Sequence, residues 1–172
     1  MKKPICILTA GPPGASKTPV AYYLSWNLGL GMFSTDAIRL EVLEDILEND
    51  LENEQINQRI DERLEKLINS KRSFIYDASI DRKWPKIKKQ LEDNGYRYFI
   101  ISFDLNPELL EKMAKAKRYG SGQELVDRWY NDHQNFLEEY GQEVALSIKN
   151  NNFSNRLDIS LKAVEKFLKE SL

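Results

Sequence analysis

The stretch Pro4-Ile5-Cys6-Ile7-Leu8-Thr9-Ala10-Gly11-Pro12-Pro13-Gly14-Ala15-Ser16-Lys17-Thr18 decides the fold. Pro4–Ala10 is a short apolar run, the form of a strand buried on both faces of a sheet. Gly11 to Gly14 then breaks the strand with alternating glycine and proline. From Lys17 the pattern turns helical and runs to Gly29, a helix-stopping residue. A strand that feeds a glycine-containing turn and then a helix points backbone N–H groups and the positive end of the helix dipole at one spot. That arrangement holds a phosphate.

The spacing sharpens this. Gly11 to Thr18 follows the P-loop pattern G-x-x-x-x-G-K-[ST] with one departure, Ser16 in place of the second glycine. The loop residues Gly11, Pro12, Pro13, Gly14, Ala15, Ser16, Lys17 and Thr18 are the expected ATP-binding set. Lys17 would reach the β- and γ-phosphates, and Thr18 would place its hydroxyl on Mg²⁺. If position 16 needs a positive φ, serine is strained there. Pro19, directly after the loop, removes an N–H donor near the α-phosphate, although proline is tolerated in a first helical turn. Both changes predict weaker nucleotide binding.

Further along, two acids end short apolar strands. Asp36 lies nineteen residues after Lys17, in Phe33-Ser34-Thr35-Asp36-Ala37-Ile38-Arg39. A carboxylate there faces the crevice at the strand ends and suits a general base for a hydroxyl acceptor. It equally suits the cap of the helix expected over Asp36–Glu48. Arg39, one turn on, could hold a phosphate or orient the acceptor. Ser73–Asp77 is an apolar strand ending in an acid, so Asp77 is a candidate to act on Mg²⁺ through water. A strand ending in Asp is also a common feature. Ser79, Asp81 and Arg82 follow closely, lining the same crevice, or, for Asp81, capping the next helix.

The remaining pattern alternates strands and helices. Helices are expected over Glu54–Ser70, Trp84–Asn94, Pro107–Ala116 and Gln123–Tyr140, with a shorter one over Gln142–Asn150. Strands are expected over Met32–Ser34 and Tyr98–Asp104, and a last short one over Leu157–Ser160 ahead of a terminal helix Leu161–Leu172. In Glu54–Ser70, Ile56, Ile60, Leu64, Leu67 and Ile68 recur at helical spacing. Such alternation implies an α/β fold: a parallel, about five-stranded sheet between two helical layers, an α/β/α sandwich. The basic segment Lys112–Arg118 follows the fourth strand. It reads as a lid, about 112–122, with Arg118 as its phosphate-facing fork, or as a solvated helix face.

The 172 residues suit one domain, 1–172. No apolar run approaches the roughly 18 residues that span a bilayer, and the N-terminus lacks a cleavable leader, so a cytoplasmic protein with no membrane partner is expected. One cysteine, Cys6, excludes an internal disulfide and Cys-x-x-Cys metal sites, and its place in the first strand marks it as a buried thiol. One histidine, His133, excludes multi-histidine metal sites; it lies in a polar helical stretch, away from any catalytic pattern. A net charge of −2 and a pI near 5.6 provide no general basic field for nucleic acid.

Taken together, these motifs resemble the P-loop kinases of the polynucleotide-kinase and zeta-toxin-like group over most of the chain. The resemblance rests on Gly11–Thr18, on Asp36 with Arg39 three residues on, on Ile75-Tyr76-Asp77-Ala78-Ser79, and on Gly95-Tyr96 before the apolar strand Phe99–Asp104. It extends to the lid-like Lys112–Arg118 and to Leu125–Gly141 with Trp129 and Tyr130. It implies ATP·Mg²⁺-dependent phosphoryl transfer to a hydroxyl, with Lys17 on the phosphates, Asp36 as general base, Arg39 positioning the acceptor and Arg118 as lid arginine. Its members act on nucleic-acid ends, nucleotide sugars and other small alcohols, and the acidic pI disfavours a long nucleic acid. The alternative is a regulatory nucleotide-binding domain that has lost catalysis through Ser16 and Pro19.

Overall fold

The computed structural model describes residues 3–49, 53–116 and 123–170. Five strands form one parallel sheet: β1 (Ile5–Ala10), β2 (Gly31–Ser34), β3 (Phe74–Ser79), β4 (Arg97–Asp104) and β5 (Val144–Lys149), in the order β2-β3-β1-β4-β5. Among the described residues six helices lie between them, α1 (Lys17–Leu28), α2 (Thr35–Asn49), α3 (Asn53–Asn69), α4 (Trp84–Asp93), α5 (Pro107–Ala116) and α6 (Gln123–Tyr140), and α7 (Arg156–Lys169) follows the last strand.

Strand alternation sorts the core onto two faces of this sheet. From β1, Cys6, Leu8 and Ala10 join Phe74, Tyr76 and Ile100 under α2, α3, α4 and α6. Ile5 and Ile7 join Ile75, Phe99, Ile101 and Phe103 under α1, α5 and α7. β1 is buried at every position, so both of its faces are apolar, as its unbroken hydrophobic run requires. Cys6 is wholly buried, and burial pushes its thiol well above the ordinary range, which leaves it inert. The expected stripe of α3 is borne out by Ile56, Ile60, Leu64 and Ile68, all in the first cluster.

The C-terminal part departs from the sequence reading. Gln142–Asn150 is not a helix: a single 3₁₀ turn, Gly141–Glu143, leads into β5. Leu157–Ser160 is not a strand, since α7 already begins at Arg156. The residues explain both. Val144, Leu146 and Ile148 alternate, and β5 pairs with β4 from Ile100↔Val144 to Asp104↔Lys149, turning Ile148 fully into the core. Leu157, Leu161, Val164 and Leu168 recur at helical spacing and all pack on the second cluster. Five strands are present, but the fifth precedes the place expected for it.

The β1–β3 register slips between Leu8 and Thr9, so that Thr9 faces Ser79. Thr9 Oγ1 donates to the Ala78 carbonyl at 3.0 Å, and the Ile80 N–H donates to the Thr9 carbonyl at 3.2 Å. This irregularity brings the chain after β3 against the loop after β1.

Candidate active site

The loop after β1 is shaped by its small residues. Gly11 has φ 136° and Gly14 φ 83°, both in the region that disfavours side chains. A Cβ on Gly11 would stand 2.9 Å from Phe103 Cβ and 3.2 Å from the Phe103 carbonyl, so only glycine fits against β4. The Ala15 N–H closes a turn onto the Pro12 carbonyl at 3.2 Å. Ser16 has φ 70° and ψ 29°, a left-handed conformation. The strain expected at this position is therefore real. Pro19 stands in the first turn of α1, where an N–H has no intrahelical acceptor.

Lys17 Nζ donates to the carbonyls of Gly11 at 2.8 Å and Pro12 at 2.6 Å, lying across the loop it belongs to. Thr18 Oγ1 donates to Asp77 Oδ1 at 3.1 Å, and Ser34 Oγ reaches Asp77 Oδ2 at 3.4 Å. The tips of α1, β3 and β2 thus meet on one carboxylate. Asp77 is 4% exposed. Burial pushes its carboxyl up, and the charge of Asp36 adds to this, while the Thr18 hydrogen bond, Lys17 and the Ser34 contact pull it down.

Asp36 and Arg39 sit on the opposite wall, joined by an Nη1–Oδ1 contact of 3.0 Å and 75% and 51% exposed in their side chains. The capping role open to Asp36 is taken by Ser34, whose Oγ accepts the Ala37 N–H at 3.4 Å. The Asp36 carboxylate instead projects into solvent at the cleft. Arg63 binds Glu41 through both guanidinium nitrogens, at 2.7 and 2.5 Å, clamping α3 to α2. Ile60 of α3 lines the cleft with Tyr76 beneath it.

These groups surround a single cleft of about 410 Å³. Its walls bring together Lys17 and Thr18, Asp36 and Arg39, Asp77, and the residues that follow β3. Trp129 and Asp132 close it from α6. Among the expected site residues, Arg118 lies outside the described residues. Lys112 and Lys115 in the described part of the lid segment are exposed, and Lys115 pairs with Glu111 on its own helix.

Asp81 lines the cleft, the first of the two readings open to it, and is not a helix cap, since Lys83 occupies that position before α4. Its Oδ1 accepts the Gly11 N–H at 3.1 Å, fixing the start of the phosphate loop. His133 is 1% exposed rather than solvated. Its Nε2 lies 3.1 Å from Ser102 Oγ. Its Nδ1 lies 3.2 Å from Asp81 Oδ1, outside hydrogen-bonding angles. His133 is thus hydrogen-bonded to Ser102 of β4 and stands in contact with Asp81, the residue that holds Gly11. The signal was in the spacing: Trp129, His133, Phe136 and Tyr140 fall on one helical stripe.

The donor set fits a nucleotide with Mg²⁺. The glycine turn would leave no side chain between backbone and phosphate, Lys17 would supply a cation, and Thr18 with Asp77 is a hydroxyl–carboxylate pair that could border a hydrated Mg²⁺. Among the described residues no group of three or more His, Cys, Asp or Glu could hold a metal by itself.

No protein-family model matches the chain, and no curated protein sequence matches it. Solved structures do. A gluconokinase from Sinorhizobium meliloti 1021 has a TM-score of 0.69 at 12% identity, covering 99% of this chain and 97% of that one. A shikimate kinase from Bacteroides thetaiotaomicron has a TM-score of 0.64 at 12% identity, covering 96% and 98%. A chain of the Pnkp1/Rnl/Hen1 RNA repair complex reaches 0.67 at 18% identity, covering 81% of this chain and 47% of that chain. With its glycine-containing loop at the end of the central strand of a parallel five-stranded sheet, and helices on both faces, the chain has the three-layer α/β/α fold of the P-loop kinases.

Proposed function

We propose that residues 1–172 form one kinase domain that transfers the γ-phosphoryl group of ATP to a hydroxyl group on an acceptor. The observation that carries this reading is the meeting, in one cleft, of the Lys17 loop, the Thr18–Asp77 pair and the Asp36–Arg39 pair. Asp36 accepts the proton of the acceptor hydroxyl as its oxygen bonds to the γ-phosphorus. The bond from that phosphorus to the β–γ bridging oxygen breaks, and ADP leaves. Lys17 turns from the Gly11 and Pro12 carbonyls to the phosphates, where its charge meets the developing negative charge. Thr18 and Asp77 would hold Mg²⁺, which would supply further neutralisation of that charge. Arg39 holds Asp36 and orients the acceptor, and Arg118 supplies the lid cation. The rest is positioning, the main requirement of this chemistry.

The acceptor we favour is a small alcohol or nucleotide rather than a long nucleic acid. The cleft is compact, its acceptor wall carries Asp36, and the pI is near 5.6. Among the described residues no helix is long and apolar enough to cross a membrane, and we place the protein in the cytoplasm. Ser16 at φ 70° and Pro19 favour a second reading, a nucleotide-binding regulatory domain without turnover. Titration calorimetry with ATP·Mg²⁺ on the wild type and on Lys17→Ala, followed by an acceptor screen, separates them. Binding that Lys17→Ala abolishes, together with ADP and a phosphorylated acceptor, supports the kinase. Binding without turnover on any acceptor supports the regulatory domain. No binding by the wild type removes both.

A further inference from the structure

Ser16 raises a problem beyond strain. A serine directly before a helix ordinarily turns its hydroxyl onto the N–H groups of the first turn and caps them. In a phosphate loop those same N–H groups face the anion, so a capping serine would compete with the ligand. In this chain Ser16 makes no side-chain hydrogen bond to the helix it precedes. Its Oγ instead accepts a hydrogen bond from Arg156 Nε at 3.0 Å, across 140 residues of sequence.

Arg156 is itself held in place. It is the first residue of α7. Its Nη1 donates to the Phe153 carbonyl at 3.1 Å, and its guanidinium lies 4.4 Å over the Phe153 ring. The planar fork is thus fixed by backbone and ring before it meets Ser16. The neighbouring Tyr23–Asp158 hydrogen bond, 3.0 Å, ties α7 to α1 and fixes the distance between the two helices.

We propose that Arg156 is a positioning residue for nucleotide binding: it draws the Ser16 hydroxyl away from the α1 N-terminus and fixes Ser16 in its left-handed conformation. Arg156 thereby replaces the glycine that this loop lacks. The proposal rests on the reading of the loop as an ATP site, and its test separates the two.

The test is a double-mutant cycle on ATP·Mg²⁺ affinity by calorimetry, with Arg156→Ala and Ser16→Gly. Arg156→Ala in the otherwise wild-type chain is expected to weaken binding about tenfold, the scale of a hydrogen bond to a charged group. In the Ser16→Gly background the same change is expected to cost less than about twofold, because no hydroxyl remains to restrain. Arg156→Lys keeps the charge and the stem over Phe153 but loses the fork, and it is expected to follow Arg156→Ala; this guards against a folding defect. A merely structural or long-range charge role predicts equal losses in both backgrounds, and that result overturns the proposal while leaving the ATP site intact. No loss in either background overturns it too. Absence of ATP binding by the wild type overturns the proposal and the kinase reading together.

Discussion

The two walls of the cleft are built in opposite ways. On the side of the Gly11–Thr18 loop, proposed to take the phosphates, the polar groups are tied to other elements even where, as at Thr18, they are exposed. Gly11 is held by Asp81, Thr18 by Asp77 and Ser16 by Arg156, with His133 behind. On the acceptor side Asp36 and Arg39 meet mainly each other and stand more than half exposed on α2. A wall that grips a constant group can be rigid and over-determined. A wall that serves a particular acceptor carries few internal ties, so its residues are exchangeable without loss of fold. The first wall should therefore answer to mutation in both stability and binding, the second in turnover alone.

The strongest way to break this contrast is Lys17→Ala. Loss of the phosphate cation is expected to lower kcat/KM by roughly 10³-fold and to abolish measurable ATP·Mg²⁺ binding. Asp36→Asn comes next, with a fall in kcat of about 10²-fold, the low end for a general base because the transition state is loose. Its nucleotide affinity and Tm should stay near wild type. A Tm drop of several degrees in Asp36→Asn would show that the acceptor wall is structural after all.

Stability effects are expected only on the phosphate side. Gly11→Ala drives a Cβ into Phe103 at a positive φ, and should cost about 2–3 kcal/mol in urea unfolding. His133→Leu leaves Ser102 without its partner in a buried site, for a loss of about 1–3 kcal/mol. Arg39→Ala, on the other wall, should remain within about 0.5 kcal/mol, since its ion pair is exposed.

Asp77 gives the smallest and most diagnostic effect. Its carboxyl titrates higher in the folded protein than in the unfolded chain, mainly through burial. The folded state therefore binds the proton more tightly. Stability from this group is fully present below the unfolded value, about 3.9, and is lost as pH rises through the folded value. Asp77→Asn should then be more stable than wild type at neutral pH without nucleotide or Mg²⁺, with the difference shrinking as pH falls toward about 4. The same variant should lose the Mg²⁺ dependence of ATP binding. Thermal melts across pH in the two proteins check the sign. A variant less stable than wild type at pH 7 would mean that the Thr18 and Ser34 hydrogen bonds outweigh burial.

Much of this was legible in order along the chain. The apolar run of β1, the glycine turn, and Lys17-Thr18 are local demands of backbone geometry on residue type, so they can be read without a fold. The helical stripe of α3 was legible for the same reason; the acids Asp36 and Asp77 were picked out as strand ends, but Asp36 lies in the first turn of α2 and Asp77 inside β3, which runs on to Ser79. The ends of the chain were harder. Val144–Lys149 is too short for its alternation to outweigh the helical residues before it, and only pairing with β4 makes it a strand. Leu157–Ser160 looks like a strand until Leu161, Val164 and Leu168 extend its period into a helix.

By itself, then, the sequence determined the parallel sheet, the glycine loop with its Lys17-Thr18 pair and the identity of the two acids, because each is written in neighbouring residues. Only the tertiary structure decided what holds them. Arg156 meets Ser16 across 140 residues, and Asp81 meets Gly11 across 70. His133 meets Ser102 only because α6 packs on the sheet. Such contacts depend on where whole helices land and on the register of the sheet, and no local pattern of residue types encodes either.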